Sequence, residues 1–97
     1  MLTFAHTEYY EPVSTQRIRL FPASQGSLFI WEGEGWEKNG EWRIEDHGGI
    51  RTLQVGFNYA REESYLITIL EENTEGISAF RLKNEAGKEW TFLPVMH

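Results

Sequence analysis

Glu34, Trp36, Arg43 and Glu45 are the residues whose types could do chemistry together. They fall within the stretch Trp31 to Asp46, WEGEGWEKNGEWRIED, which contains the dipeptide Asn39-Gly40. Asn-Gly is the strongest short-range hairpin signal, because a type I′ turn needs positive φ at both central residues and these types tolerate it at least cost. A chain reversed there sets Lys38 against Glu41, Trp36 against Arg43, Gly35 against Ile44 and Glu34 against Glu45. Side-chain alternation then puts Glu32, Glu34, Trp36, Arg43 and Glu45 on a wet face, and Trp31, Gly33, Gly35, Trp42 and Ile44 on a core face.

In that register the Glu34 and Glu45 Cβ atoms lie about 4.5–5.5 Å apart, where like charges repel. Arg43 could bridge them while its guanidinium stacks on Trp36. Carboxylates so spaced also serve a retaining glycosidase as nucleophile and acid, or hold a hard cation such as calcium. An indole flanked by acids and an arginine can stack on a sugar ring and hydrogen-bond its hydroxyls. Catalysis ranks last, because the chain has no loop long enough to exclude water, as the raised pKa of an acid catalyst requires. The four residues are thus a candidate ligand-binding surface, set against the ordinary alternative of a solvated charge ladder beside a surface tryptophan.

Other chemistries lack their residues. There are no cysteines, which excludes disulfides, thiolate zinc and thiol catalysis. His6, His47 and His97 share no ligand spacing, so no metal is expected. No glycine-rich loop leads into a helix to cradle a phosphate, no serine sits in an elbow context, and no cofactor is expected.

The chain carries a net charge of −6, with only nine Lys and Arg against 15 acidic residues spread along it. Its densest basic stretch is Arg17-Ile18-Arg19, too little to release counterions from a phosphate backbone, so no nucleic-acid partner is expected. At 97 residues, residues 1–97 are read as one domain. MLTFAHTEYYEP lacks the basic start and apolar run of a signal peptide, and no stretch approaches the roughly 20 apolar residues of a membrane span. The expectation is a cytoplasmic protein with no membrane partner.

The elements that must position any site are strands. Leu2 to Tyr10 suits a strand or a short helix ended by Pro12, and residues 1–12 are the least determined. Gln16 to Phe21 alternates, with Ile18 and Leu20 inward, and Pro22 to Gly26 turns the chain. Ser27 to Lys38 reads as a long strand whose Gly33 and Gly35 leave room for the Trp42 indole. His47-Gly48-Gly49 makes a turn, and Ile50 to Tyr59 gives the cleanest period-two pattern, before a polar loop from Ala60 to Ser64. Tyr65 to Glu71 is apolar on both parities, which predicts cover on both sides. For the last pair, Ile77 to Lys83 and Lys88 to Val95, a loop of Glu85-Ala86-Gly87 sets Trp90 opposite Leu82 and Phe92 opposite Phe80. It also places Gly87 at a left-handed bulge position.

Seven to eight strands joined by short turns form an all-β antiparallel up-and-down meander, which closure into a barrel would relieve of its edges. The topology resembles a small barrel of the lipocalin or avidin kind. The likeness is architectural: lipocalins carry Gly-x-Trp in their first strand, whereas Gly40-Glu41-Trp42 lies mid-chain. The function expected is non-catalytic binding of a small apolar or sugar-like ligand. A protein-interaction or homodimerisation module using a sheet face or edge strand is the alternative, and a small glycoside hydrolase built on Glu34 and Glu45 is third.

Overall fold

The computed structural model describes residues 4–22, 24, 26–57 and 62–95. Its strands are β1 (Glu8–Glu11), β2 (Gln16–Leu20), β3 (Leu28–Gly33), β4 (Trp36–His47), β5 (Ile50–Phe57), β6 (Glu63–Asn73), β7 (Gly76–Lys83) and β8 (Glu89–Pro94). Each pairs antiparallel with the next, and β1 returns to β8 through Tyr9 opposite Pro94 and Tyr10 opposite Leu93. The result is a closed eight-stranded up-and-down barrel with the architecture of the lipocalin kind. Asn58 and Tyr59, and Ala60 and Arg61 of the expected Ala60 to Ser64 loop, lie outside the described residues, as do Leu2 and Thr3, while Glu63 and Ser64 belong to β6 rather than to a loop.

The inward parity fills the barrel. Ile18, Leu20, Phe29, Trp31, Leu53, Val55, Tyr65, Ile67, Phe80, Leu82 and Phe92 are all buried. Their rings form a column along the interior. Phe4 meets Trp42 and Phe80 edge-on at 5.4 and 5.3 Å, Phe80 stacks on Phe92 at 5.4 Å, and Phe92 meets Trp31 at 5.8 Å. An eight-stranded barrel is just wide enough for side chains to fill, and here large rings fill it, so room for a ligand lies at the mouths.

The turns follow backbone chemistry. Gly48 and Gly49 take φ of 63° and 91°, both positive as a two-residue hairpin turn demands. Gly87 takes φ 88° in the β7–β8 loop, with Trp90 opposite Leu82 and Phe92 opposite Phe80, the expected register. At the β1–β2 turn the buried Glu11 carboxylate accepts the N–H groups of Val13 and Ser14 at 3.2 and 2.7 Å, and the Ser14 hydroxyl as well.

Two expectations are corrected. The central reversal falls at Glu34-Gly35, not at Asn39-Gly40. Gly33 pairs with Trp36, Trp31 with Lys38, Ile30 with Asn39 and Phe29 with Gly40. Gly35 carries the positive φ, 79°, while Asn39 and Gly40 run extended inside β4. Turn and strand preferences differ on the order of 1 kcal/mol. Unbroken, β4 buries Gly40 opposite Phe29 and sets Trp42 opposite Val55 and Ile44 opposite Leu53. Each large apolar side chain so covered is worth roughly 1.5–3 kcal/mol, which outweighs the local signal.

The second correction concerns β6, where Leu66 and Leu70 are 41% and 44% exposed rather than covered. A single closed sheet has one inside, and its outer face meets water.

Residues 4–7, which lead into β1, are not helical. Phe4 forms a parallel bridge with Ile77, the Ala5 N–H donates to the Ile77 carbonyl at 2.9 Å, and Thr7 accepts from the Leu20 N–H at 2.8 Å. The Tyr9 hydroxyl, itself buried, accepts from the His6 N–H at 3.1 Å and donates to the Ile77 carbonyl at 2.6 Å. This segment crosses the end of the barrel where β1 begins and sets Phe4 into it as a plug. The opposite end carries the β1–β2, β3–β4 and β7–β8 turns.

Candidate functional site

The revised register separates the four residues singled out from the sequence. Glu34 occupies the β3–β4 turn, and Glu45 pairs with Thr52, so the two carboxylates are not cross-strand neighbours and the pair a glycosidase would need is not assembled. Arg43 and Glu45 do share the outer face. The Arg43 guanidinium reaches Glu45 at 3.0 Å and Glu62 at 2.8 Å, and His47 Nε2 lies 3.1 Å from the other Glu45 oxygen. His47 and Arg43 hold the Glu45 carboxyl below its ordinary pKa, and Glu62 followed by Glu45 raises that of Arg43. This exposed cluster satisfies itself.

Trp36 is displaced to the other side of the sheet. It lies on the same parity of β4 as Trp42, and its position opposite Gly33 gives it the inward face, whereas a turn at Asn39-Gly40 would have turned it outward. Its indole covers Gly33 so closely that a Cβ there would stand 2.5 Å from the ring. The room left by a glycine is thus used by a neighbouring tryptophan, at Gly33 by Trp36 rather than at Gly35 by Trp42.

Trp36 instead belongs to the open mouth, a concavity of about 400 Å³ between the turns. Its aromatic lining is Trp31, Trp36, Tyr65 and Trp90, with Gln16, Lys38, Glu63, Asn84 and Lys88 supplying the polar groups. Trp31 meets Trp90 at 5.0 Å and Tyr65 at 5.5 Å, so these three make a continuous floor. The Trp31 Nε1–H donates to Gln16 Oε1 at 2.7 Å, which fixes the floor's orientation. The Tyr65 hydroxyl donates to Glu63 at 2.5 Å, and burial, reinforced by that carboxylate, raises the phenol's pKa well above its usual value. The buried Trp90 Nε1 has no hydrogen-bond partner among the described residues.

Two lysines complete the walls. Lys38 Nζ sits 6.0 Å from the centre of the Trp36 ring, and Lys88 Nζ 5.1 Å from that of Trp90, both within the range of cation–π attraction. Reading the sequence for core alone assigns Trp31 and Trp90 to packing and passes over both lysines. The available signal is the spacing Trp36-x-Lys38 and Lys88-x-Trp90, which in a strand puts ammonium and indole on one face.

A larger concavity, about 870 Å³, opens at the plugged end around Phe4, Trp42 and Ile44. Several of its polar groups are engaged with the protein: Asp46 meets Arg51 at 3.5 Å, Arg43 is held by Glu62, and the Trp42 Nε1–H donates to the Phe21 carbonyl at 2.8 Å. Among the described residues no group of three or more His, Asp or Glu is placed to hold a metal ion, and no helix is long and apolar enough to cross a membrane. The chain matches no protein-family model, no curated protein and no solved structure. The class defined by the fold is a closed antiparallel β-barrel.

Proposed function

We propose that this barrel is a non-catalytic binding module that holds a small molecule in its open mouth, against Trp31, Trp36, Tyr65 and Trp90. The carrying observation is the half-exposed Trp36 indole, 40% accessible, resting over Gly33 beside a floor of packed rings. An exposed ring that is held in place by its own glycine offers a flat apolar face with little ordering to lose on binding. Gln16, Glu63 and Asn84 sit at the same mouth and supply the few directional polar groups that fix a ligand's orientation.

The alternative of self-pairing through an edge strand is less well supported, because closure of β1 on β8 occupies both edges. Intrinsic tryptophan fluorescence, titrated with panels of ring sugars, aromatic compounds and fatty acids, tests the reading. Quenching that disappears in Trp36→Ala, with the fold intact by circular dichroism, is the expected result. Binding that survives that substitution unchanged would place the ligand elsewhere.

A further inference from the structure

The two lysine–tryptophan units stand on β4 and at the start of β8, where Lys88 immediately precedes the strand, and these strands are four apart in either direction round a ring of eight. Both tryptophans have inward parity, Trp36 opposite Gly33 and Trp90 opposite the buried Leu82. The mouth is thus walled on opposite sides by an indole with an ammonium resting on it. The chain has three lysines in all, and two of them are here, on a protein of net charge −6. Among the described residues, the carboxylate lining this mouth is Glu63, which accepts the Tyr65 hydroxyl. An acidic molecule repelled by most of the surface finds at this mouth two cations already held in position.

Resting on the assignment of the mouth as the binding site, we propose that its ligand is a carboxylate carried on a six-membered ring with an apolar face. The ring lies against the indoles, and the carboxylate meets the Lys38 and Lys88 ammonium groups. Two kinds of molecule share this chemistry, aromatic acids and the uronic acids of sugars. Both present an apolar ring face, the π face of an aromatic or the C–H face of a pyranose, and one negative charge.

Paired ligands separate charge from ring. Benzoate and phenylacetate are titrated beside benzamide and phenylacetamide, and glucuronate and galacturonate beside glucose and galactose, with tryptophan fluorescence excited at the red edge of its absorption as the readout. The expected result is that the acids of one series bind at least about tenfold more tightly than their neutral partners, a difference that shrinks with added salt. The series that responds identifies the source. In the double variant Lys38→Met, Lys88→Met, which keeps the apolar stems, acid and neutral partners should bind alike. Equal affinity of the partners for the unaltered protein, or an acid preference that persists in the double variant, overturns the charge assignment while leaving the mouth as a site. If no ring compound of either charge perturbs the tryptophans at millimolar concentration, both the charge assignment and the site fall.

Discussion

The indole of Trp36 lies over the α-carbon of Gly33, near enough that a single added methyl would stand 2.5 Å from the ring. Gly33→Ala is therefore expected to push the indole outward toward water. The ring sits at a rim and can swing, so the cost belongs at the low end for overpacking, about 1 kcal/mol, or roughly 4–8 °C in Tm for a chain of this size. A red-shifted emission with a weakened response to ligand is the expected signature. An unchanged spectrum would mean that the ring does not rest there.

The reversal at Glu34-Gly35 makes different demands on two glycines five residues apart, backbone freedom at Gly35 and an absent side chain at Gly40. Gly35→Ala must adopt φ near 79° and should destabilise by about 1 kcal/mol through backbone strain. Gly40→Val would force a side chain against the fully buried Phe29, at about 1–3 kcal/mol. Asn39→Thr, by contrast, should be neutral or slightly stabilising, since residue 39 is an exposed strand position. Urea melts of the three variants check the set. A large loss in Asn39→Thr would restore the turn to residues 39 and 40.

These positions also show what was legible in the sequence. Strand content, the antiparallel meander and the β7–β8 register could be read because glycine placement and period two agreed there. At β3–β4 two reversal signals stood five residues apart, Glu34-Gly35 and Asn39-Gly40, and local preference favoured the wrong one. Only the non-local burial of Phe29 against Gly40 decides between them. Both registers pair odd with even residues, so what changes is the strand to which residues 36–38 belong: β4, whose even-numbered residues face inward, instead of a prolonged β3, whose odd-numbered residues do. Trp36 changed faces because a turn at Glu34-Gly35 aligns it with Gly33, whereas one at Asn39-Gly40 aligns it with Arg43. The candidate site moved with it, from the outer face to the mouth. Arg43 and Glu45 stayed outside, where their partners are one another, Glu62 and His47.

Alkaline stability should report the buried phenols. Burial pushes the Tyr9 pKa up to about 12, against small opposing effects of the His6 and Ala5 backbone, and burial followed by Glu63 raises that of Tyr65. A raised folded-state pKa means that the native state holds the neutral phenol more tightly than the unfolded chain does. The stabilisation is complete below the unfolded value of 10.0 and is lost as pH climbs from there toward 12. Tm should fall across that interval, and Tyr9→Phe should flatten the fall. At neutral pH that variant leaves the His6 N–H without its acceptor and should lose about 1–2 kcal/mol.

Acid stability should report Glu11 with the opposite sign. Burial alone would raise its pKa, but hydrogen bonds from the Ser14 hydroxyl, the Ser14 N–H and the Val13 N–H outweigh it and leave the carboxyl below the usual value of 4.5. The folded state therefore favours the carboxylate. Its contribution is present above the unfolded pKa and is lost as pH falls through the folded one. Glu11→Ala removes the acceptor for both turn amides, and a loss of about 1–3 kcal/mol is expected, together with a shallower dependence of Tm on pH below 5. An acid limb as steep as that of the unaltered protein would assign the effect to other carboxylates.

The two ends of the barrel can be separated through Phe4. Its ring fits between Tyr9, Trp42 and Phe80, with centroids at 6.0, 5.4 and 5.3 Å, and closes the column opposite the open mouth. Because Phe4 is only partly buried, Phe4→Ala should cost less than the 3–5 kcal/mol of a fully enclosed phenylalanine, about 2 kcal/mol. The plugged end would then open above Tyr9 and Phe80 and should gain binding of an apolar dye. Ligand affinity at the other mouth should not change, because Phe80 and Phe92 remain stacked between Phe4 and Trp31 and hold the floor from beneath. If affinity at the mouth falls together with stability, the ring column transmits the loss, and the two ends must be treated as a single coupled unit.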